Sequence, residues 1–153
     1  MRGQVNFWIS IAKDKGVNSW FAVDEELEGG QQMALNKSQN TQLLKEACDI
    51  IKAAGFNACV YTGANWGMNY IDEDSLKYPL WVAYYYKYGT QLSFEGLDGS
   101  LPGGTYGNYL KRLQNKGLLL GWQFTSEGYG STYGVGSTNL DKNWLYFRPQ
   151  GGS

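Results

Sequence analysis

Short apolar runs alternate with segments of helical period along this chain, and that order predicts an α/β fold with largely parallel strands. Two details support it. The runs are continuously apolar, as strands buried on both faces are. Several also end in polar or aromatic residues, as strands do when they deliver side chains to the C-terminal face of a β/α barrel. Helices thin out in the later part, so any barrel is expected to be irregular there.

Residues 4–15 read as a helix, with Val5, Trp8, Ile9 and Ala12 on one stripe and Gly16 closing it. The run Trp20-Phe21-Ala22-Val23 reads as a strand and ends in Asp24-Glu25-Glu26. After a polar stretch, a helix is expected near 40–54. Asn40 is its N-cap, Leu43, Leu44, Ala47, Cys48, Ile51 and Ala54 its apolar face, and Gly55 its stop. Residues 57–62 form the next strand, followed by a loop over 63–67. A short helical segment at 73–77 leads through Pro79 into a strand over 80–84. Residues 87–105 read as a Gly-, Ser- and Tyr-rich loop, and a helix near 106–115 precedes the apolar strand 118–124. A loop at 126–138 and a short strand near 139–141 complete the order. Residues 1–147 are expected to form one domain and 148–153 a tail or linker.

Composition removes several functions. Histidine is absent, which excludes His-based triads and His-rich metal sites. The 13 basic residues are scattered and the net charge is −1, so nucleic acid is not an expected partner. No apolar run approaches the roughly 20 residues of a membrane span, and the first residues lack a signal-peptide pattern. No metal or organic cofactor is implied. Cys48 and Cys59 read as buried free thiols, although spacing alone leaves a disulfide open. The excess is aromatic, with 6 Trp, 12 Tyr and 6 Phe. Such rings stack on sugars, but they also fill cores.

Asp24 and Glu26 stand two apart on a predicted strand, so they face the same way, roughly 6.5–7 Å apart by strand rise. Glycoside cleavage needs a protonated acid beside an anion, and neighbouring carboxylates split their pKa values in that sense. Glu26, with the longer reach, is the candidate proton donor, and Asp24 the charge that raises its pKa. Taken alone the pattern is weak, since acidic clusters are commonly solvated loop charges.

The order of motifs is more specific. Trp20-Phe21-Ala22-Val23-Asp24-Glu25-Glu26 is followed by Ala54-Gly55-Phe56-Asn57-Ala58-Cys59-Val60-Tyr61-Thr62-Gly63-Ala64-Asn65-Trp66 and Tyr78-Pro79-Leu80-Trp81-Val82-Ala83-Tyr84-Tyr85. Gly121-Trp122-Gln123-Phe124-Thr125-Ser126 and Leu140-Asp141-Lys142-Asn143-Trp144-Leu145 come next. Over about residues 4–147 this order resembles the second half of family 25 glycoside hydrolases, the Chalaropsis-type lysozymes of phage endolysins and bacterial autolysins. The resemblance implies an N-acetylmuramidase that cuts the β-1,4 bond between N-acetylmuramic acid and N-acetylglucosamine at the bacterial cell wall, secreted or released by lysis. It places Asp24 and Glu26 at the end of a central barrel strand, with Glu26 as general acid. Asp141 and Asn143 match the family's late Asp and Asn, with Lys142 between them as a local departure. In such enzymes the substrate's own acetamido group is often proposed as nucleophile. Tyr61, Trp66, Trp81, Tyr84, Trp122 and Gln123 match positions that end barrel strands or line the glycan groove, core packing being their alternative. Trp122 in particular suits a barrel interior.

The same resemblance implies a partial TIM-like barrel lacking its first strands, because the family's opening Asp-bearing strand has no counterpart before Gln4. Half a barrel exposes strand edges and apolar surface, so association with a second copy or a completing partner is expected. The competing readings are a non-catalytic module that binds cell-wall glycan, a truncated fragment needing a partner chain, and a purely structural assembly subunit.

Overall fold

The structure is a computed structural model, and it describes residues 2–25, 35–86, 99–128, 130–134, 136 and 139–147. In chain order the elements are α1 (Arg2–Asp14), β1 (Trp20–Glu25), α2 (Lys37–Ala53), β2 (Asn57–Gly63), α3 (Ala64–Tyr70), α4 (Glu73–Leu76), β3 (Leu80–Ala83), α5 (Gly104–Asn115), β4 (Leu119–Gly128) and β5 (Leu140–Leu145). A single 3-10 turn, Gly130–Tyr133, stands between the last two strands. The strands form one sheet in sequence order, with β1 to β4 parallel and β5 antiparallel to β4. The α/β class and the mostly parallel sheet agree with the sequence reading. The described strands make an open sheet with β1 and β5 at its edges.

Three local expectations are corrected. Asn36, not Asn40, caps α2: its Oδ1 accepts from the Gln39 backbone N–H at 2.9 Å, and Gln39 Oε1 accepts from the Asn36 N–H at 3.1 Å. That reciprocal pair satisfies two donors the helix start would otherwise leave open. Asn40 instead lies inside the helix, buried, donating its side-chain N–H to the Tyr70 carbonyl. Residues 64–70 are helical, so most of the loop expected over 63–67 is instead the start of α3. Trp66 stacks on Tyr70 one turn later, with ring centroids 4.1 Å apart. Gly67, at the end of the loop expected over 63–67, is a close-approach residue, since a Cβ there would stand 2.7 Å from the Tyr109 hydroxyl. The final strand is longer than 139–141 and antiparallel. The loop expected over 87–105 lies largely outside the described residues, and its described end opens α5 at Gly104.

Alternation across the strands separates two faces. Val60, Leu80, Val82, Trp122 and Phe124 point toward the helices and pack with Leu44, Cys48, Ile51, Leu110 and Leu113 into one core. The helix-facing residues of β1, Phe21 and Val23, are half-buried, and Phe21 meets Phe56 at 4.8 Å between ring centroids. On the other face of β1, Ala22 and Asp24 are exposed. Beyond this strand runs a groove of about 540 Å³, bordered by Gln4, Val5 and Trp8 of α1 and by Phe21 and Asp24. Phe7 and Trp8 of α1 stand 58% and 59% exposed, so α1 carries exposed apolar surface near the groove. Among the described residues no helix is long and apolar enough to cross a membrane.

Candidate functional site

Parallel pairing puts Asp24, Tyr61, Trp81 and Gly121 in one row across four strands. The next row toward the strand C-termini holds Gly63, Ala83, Gln123 and Asn143. Residues in register share a face, so both rows lie on the side away from the helices. Tyr61 donates its hydroxyl to Gln123 Oε1 at 2.8 Å, and the Tyr85 hydroxyl donates to the same oxygen. Trp81 donates its indole N–H to Asn143 Oδ1 at 2.7 Å, and its ring meets Tyr61 edge-on at 5.0 Å. Two aromatic–amide pairs therefore lie side by side, each ring fixed by a hydrogen bond.

Small residues shape the space around them. A Cβ at Gly121 would lie 2.9 Å from Leu145, 3.1 Å from the Trp144 carbonyl and 3.3 Å from the Trp81 ring, so a larger residue there would crowd all three. Gly63 and Ala83 add almost no side chain beside Gln123, and a Cβ at Gly63 would meet nothing within 4 Å. Trp81 and Asn143 also border a cavity of about 310 Å³ on this face, together with Trp20, Ala22, Cys59 and Leu145.

Not every predicted site residue joins this face. Trp122 is fully buried among the helices' apolar side chains and donates its indole N–H to the Tyr84 carbonyl at 2.9 Å. Its place fits the core-packing alternative. Trp66 is only 4% exposed on α3, stacked on Tyr70, and offers no free ring to a ligand. Tyr84 sits half-buried toward α5, edge-on to Tyr106 at 5.5 Å. Asp141 is exposed near the start of β5, beside the C-terminal end of β4. Glu26 lies outside the described residues.

Two residues not singled out from sequence stand close to this face or behind it. Tyr85 was hidden in the run Tyr84-Tyr85-Tyr86, although the two-residue period from Trp81 through Ala83 leads to it. Glu25 is 6% exposed on the helix side of β1 and accepts the Trp66 indole N–H at 3.3 Å. Burial pushes its pKa above the ordinary carboxylate value and the Asp24 charge adds to this, against hydrogen bonds from Trp66 and Asn40. Cys48 and Cys59 are both buried and free. Desolvation raises each thiol to about 12, so neither supplies a nucleophile near neutrality.

Parallel strands backed by helices on one face, with hydroxyl, amide and carboxyl groups gathered toward their C-terminal ends on the other, define an α/β protein of the ligand-binding or catalytic class. Its family is given by comparison. The model of glycosyl hydrolases family 25 matches residues 2–132, and the chain belongs to that family of peptidoglycan-hydrolysing muramidases. Comparison with curated proteins found no match. Comparison with solved structures found none either.

Proposed function

We propose that this chain is the acid-bearing part of an N-acetylmuramidase, cleaving the β-1,4 bond between N-acetylmuramic acid and N-acetylglucosamine. The observation that carries the reading is Asp24, exposed in the same row as Tyr61 and Trp81 at the C-terminal end of β1. The two-residue period of a strand supports pairing Glu26 with Asp24 in this role. Glu26 gives its carboxyl proton to the bridging oxygen as the bond to the anomeric carbon breaks, and water then adds at that carbon. Asp24 holds negative charge beside the developing oxocarbenium ion or the substrate acetamido group. Tyr61, Trp81 and Gln123, joined by Tyr85 and Asn143, are suited to grip a pyranose and its N-acetyl group. Asp141 would approach from the β5 side.

A partial β/α barrel is the architecture this reading assigns, with β1 as an edge that further strands complete. The exposed Phe7 and Trp8 support association with a second copy or a completing chain. A particle that stays monomeric in light scattering at micromolar concentration and above would remove that association. The second reading, a glycan-binding module without hydrolysis, is favoured by the groove between α1 and β1, which the rings of Trp8 and Phe21 line.

Turbidity clearing of Gram-positive walls separates the two. The wild type clears and Glu26→Gln does not, while both sediment with insoluble peptidoglycan. Equal clearing by both proteins takes the proton-donor role away from Glu26. Binding without clearing by the wild type selects the module.

A further inference from the structure

Glu25 follows Asp24 in sequence but lies on the opposite face of the strand, in a buried setting that invites a reason. Two elements hold it. Trp66 of α3 donates its indole N–H to Glu25 Oε1 at 3.3 Å. Thr62 of β2 donates its hydroxyl to the Glu25 main-chain carbonyl at 2.9 Å. Trp66 is itself fixed by stacking on Tyr70, whose carbonyl accepts from the Asn40 side chain of α2. The last described residue of β1 is thereby fastened through side chain and main chain at once.

We propose that Glu25 is a positioning residue, whose fastening to α3 and β2 sets the direction in which Asp24 presents its carboxyl to the glycan. This rests on the assignment of Asp24 made above. The physical link is the strand period: turning Glu25 toward the helices obliges Asp24 before it to turn away from them. A strand end pinned only by its main-chain ladder frays, and a misplacement of about 1 Å in an acid costs on the order of a hundredfold in rate. Glu25 itself never touches substrate.

The test compares wild type, Glu25→Ala, Glu25→Gln and Trp66→Phe on purified peptidoglycan, well below each protein's melting temperature. Glu25→Ala should lower kcat about tenfold or more with KM within about twofold, and Glu25→Gln, which keeps an accepting oxygen, should restore most of it. Trp66→Phe keeps an aromatic ring against Tyr70 while removing the donor and some buried volume, so it reports even if the alanine variant does not fold. It should slow kcat by about threefold to tenfold. Wild-type kcat in every folded variant overturns the proposal. Should the wild-type chain itself fail to cleave, the acid assignment has failed rather than the anchor. Amide hydrogen exchange at residues 23–25 then decides the anchor. Exchange about tenfold faster in Trp66→Phe supports it, and unchanged exchange overturns it.

Discussion

The two faces of the sheet are built from the same strands and differ in almost everything else. Toward the helices, Val60, Val82, Trp122 and Phe124 are fully buried against α2 and α5. On the other side, Asp24 is exposed, and Tyr61 and Trp81 are half-buried, each ring tied to an amide oxygen. The first face is apolar and close-packed, so it responds to volume. The second carries hydrogen-bonded pairs among its rings, so it responds also to hydrogen-bonding groups. Alternation lets adjacent residues answer to different demands, as Trp122 in the core and Gln123 on the groove face do.

If that division is real, substitutions on the two faces should have separable effects. The largest belongs to Glu26→Gln, which should lower wall-clearing rate by roughly two to four orders of magnitude. Its melting temperature should stay within a few degrees of wild type. Next, Trp122→Ala should cost about 3–5 kcal/mol of stability by opening a cavity in the helix-side core, measured by chemical denaturation. A loss of glycan binding at unchanged stability would instead move Trp122 to the groove.

Smaller effects sharpen the comparison. Glu73 of α4 is nearly buried and meets Arg112 of α5 at 2.9 Å, with Lys116 at 3.4 Å. Desolvation opposes its ionisation, but its own amide and these two cations hold its pKa below the ordinary value. A depressed folded-state pKa gives stability that is present above the unfolded value and lost as pH falls through the folded one. Arg112→Met should therefore cost about 1 kcal/mol near neutrality, since Arg112 is about half exposed, and the difference should shrink in acid. Glu25 has the opposite sign. Its raised pKa gives stability that is full below the unfolded value and lost as pH rises through the folded one. The melting temperature of Glu25→Gln relative to wild type should therefore improve from acid toward neutral pH, and a flat difference would contradict the raised pKa. Smallest of all, Tyr85→Phe should weaken glycan binding by about threefold to tenfold, the worth of one hydrogen bond, without moving the melting temperature appreciably.

Much of this was written in local pattern. The helices and strands followed from periodicity, and the stop of α2 at Gly55 from a residue that adopts φ of +95° without strain. The Asn36–Gln39 capping pair was equally legible but was passed over for Asn40, which has the right chemistry one turn too late. The acidic pattern at β1 and the order of motifs resemble family 25, whose model matches residues 2–132.

Tertiary structure alone decided which aromatic rings face the groove and which fill the core. Tyr61, Trp66, Trp81, Tyr84 and Trp122 are alike in sequence as large rings near strand ends. Only strand register and the position of the covering helices separate the Trp81–Asn143 pair from the Trp122 core. The role of Glu25 is of the same kind. Two partners distant in sequence, Trp66 and Thr62, turn an acidic residue inside an acidic run into a buried anchor, because solvation and hydrogen bonding depend on what folds next to it.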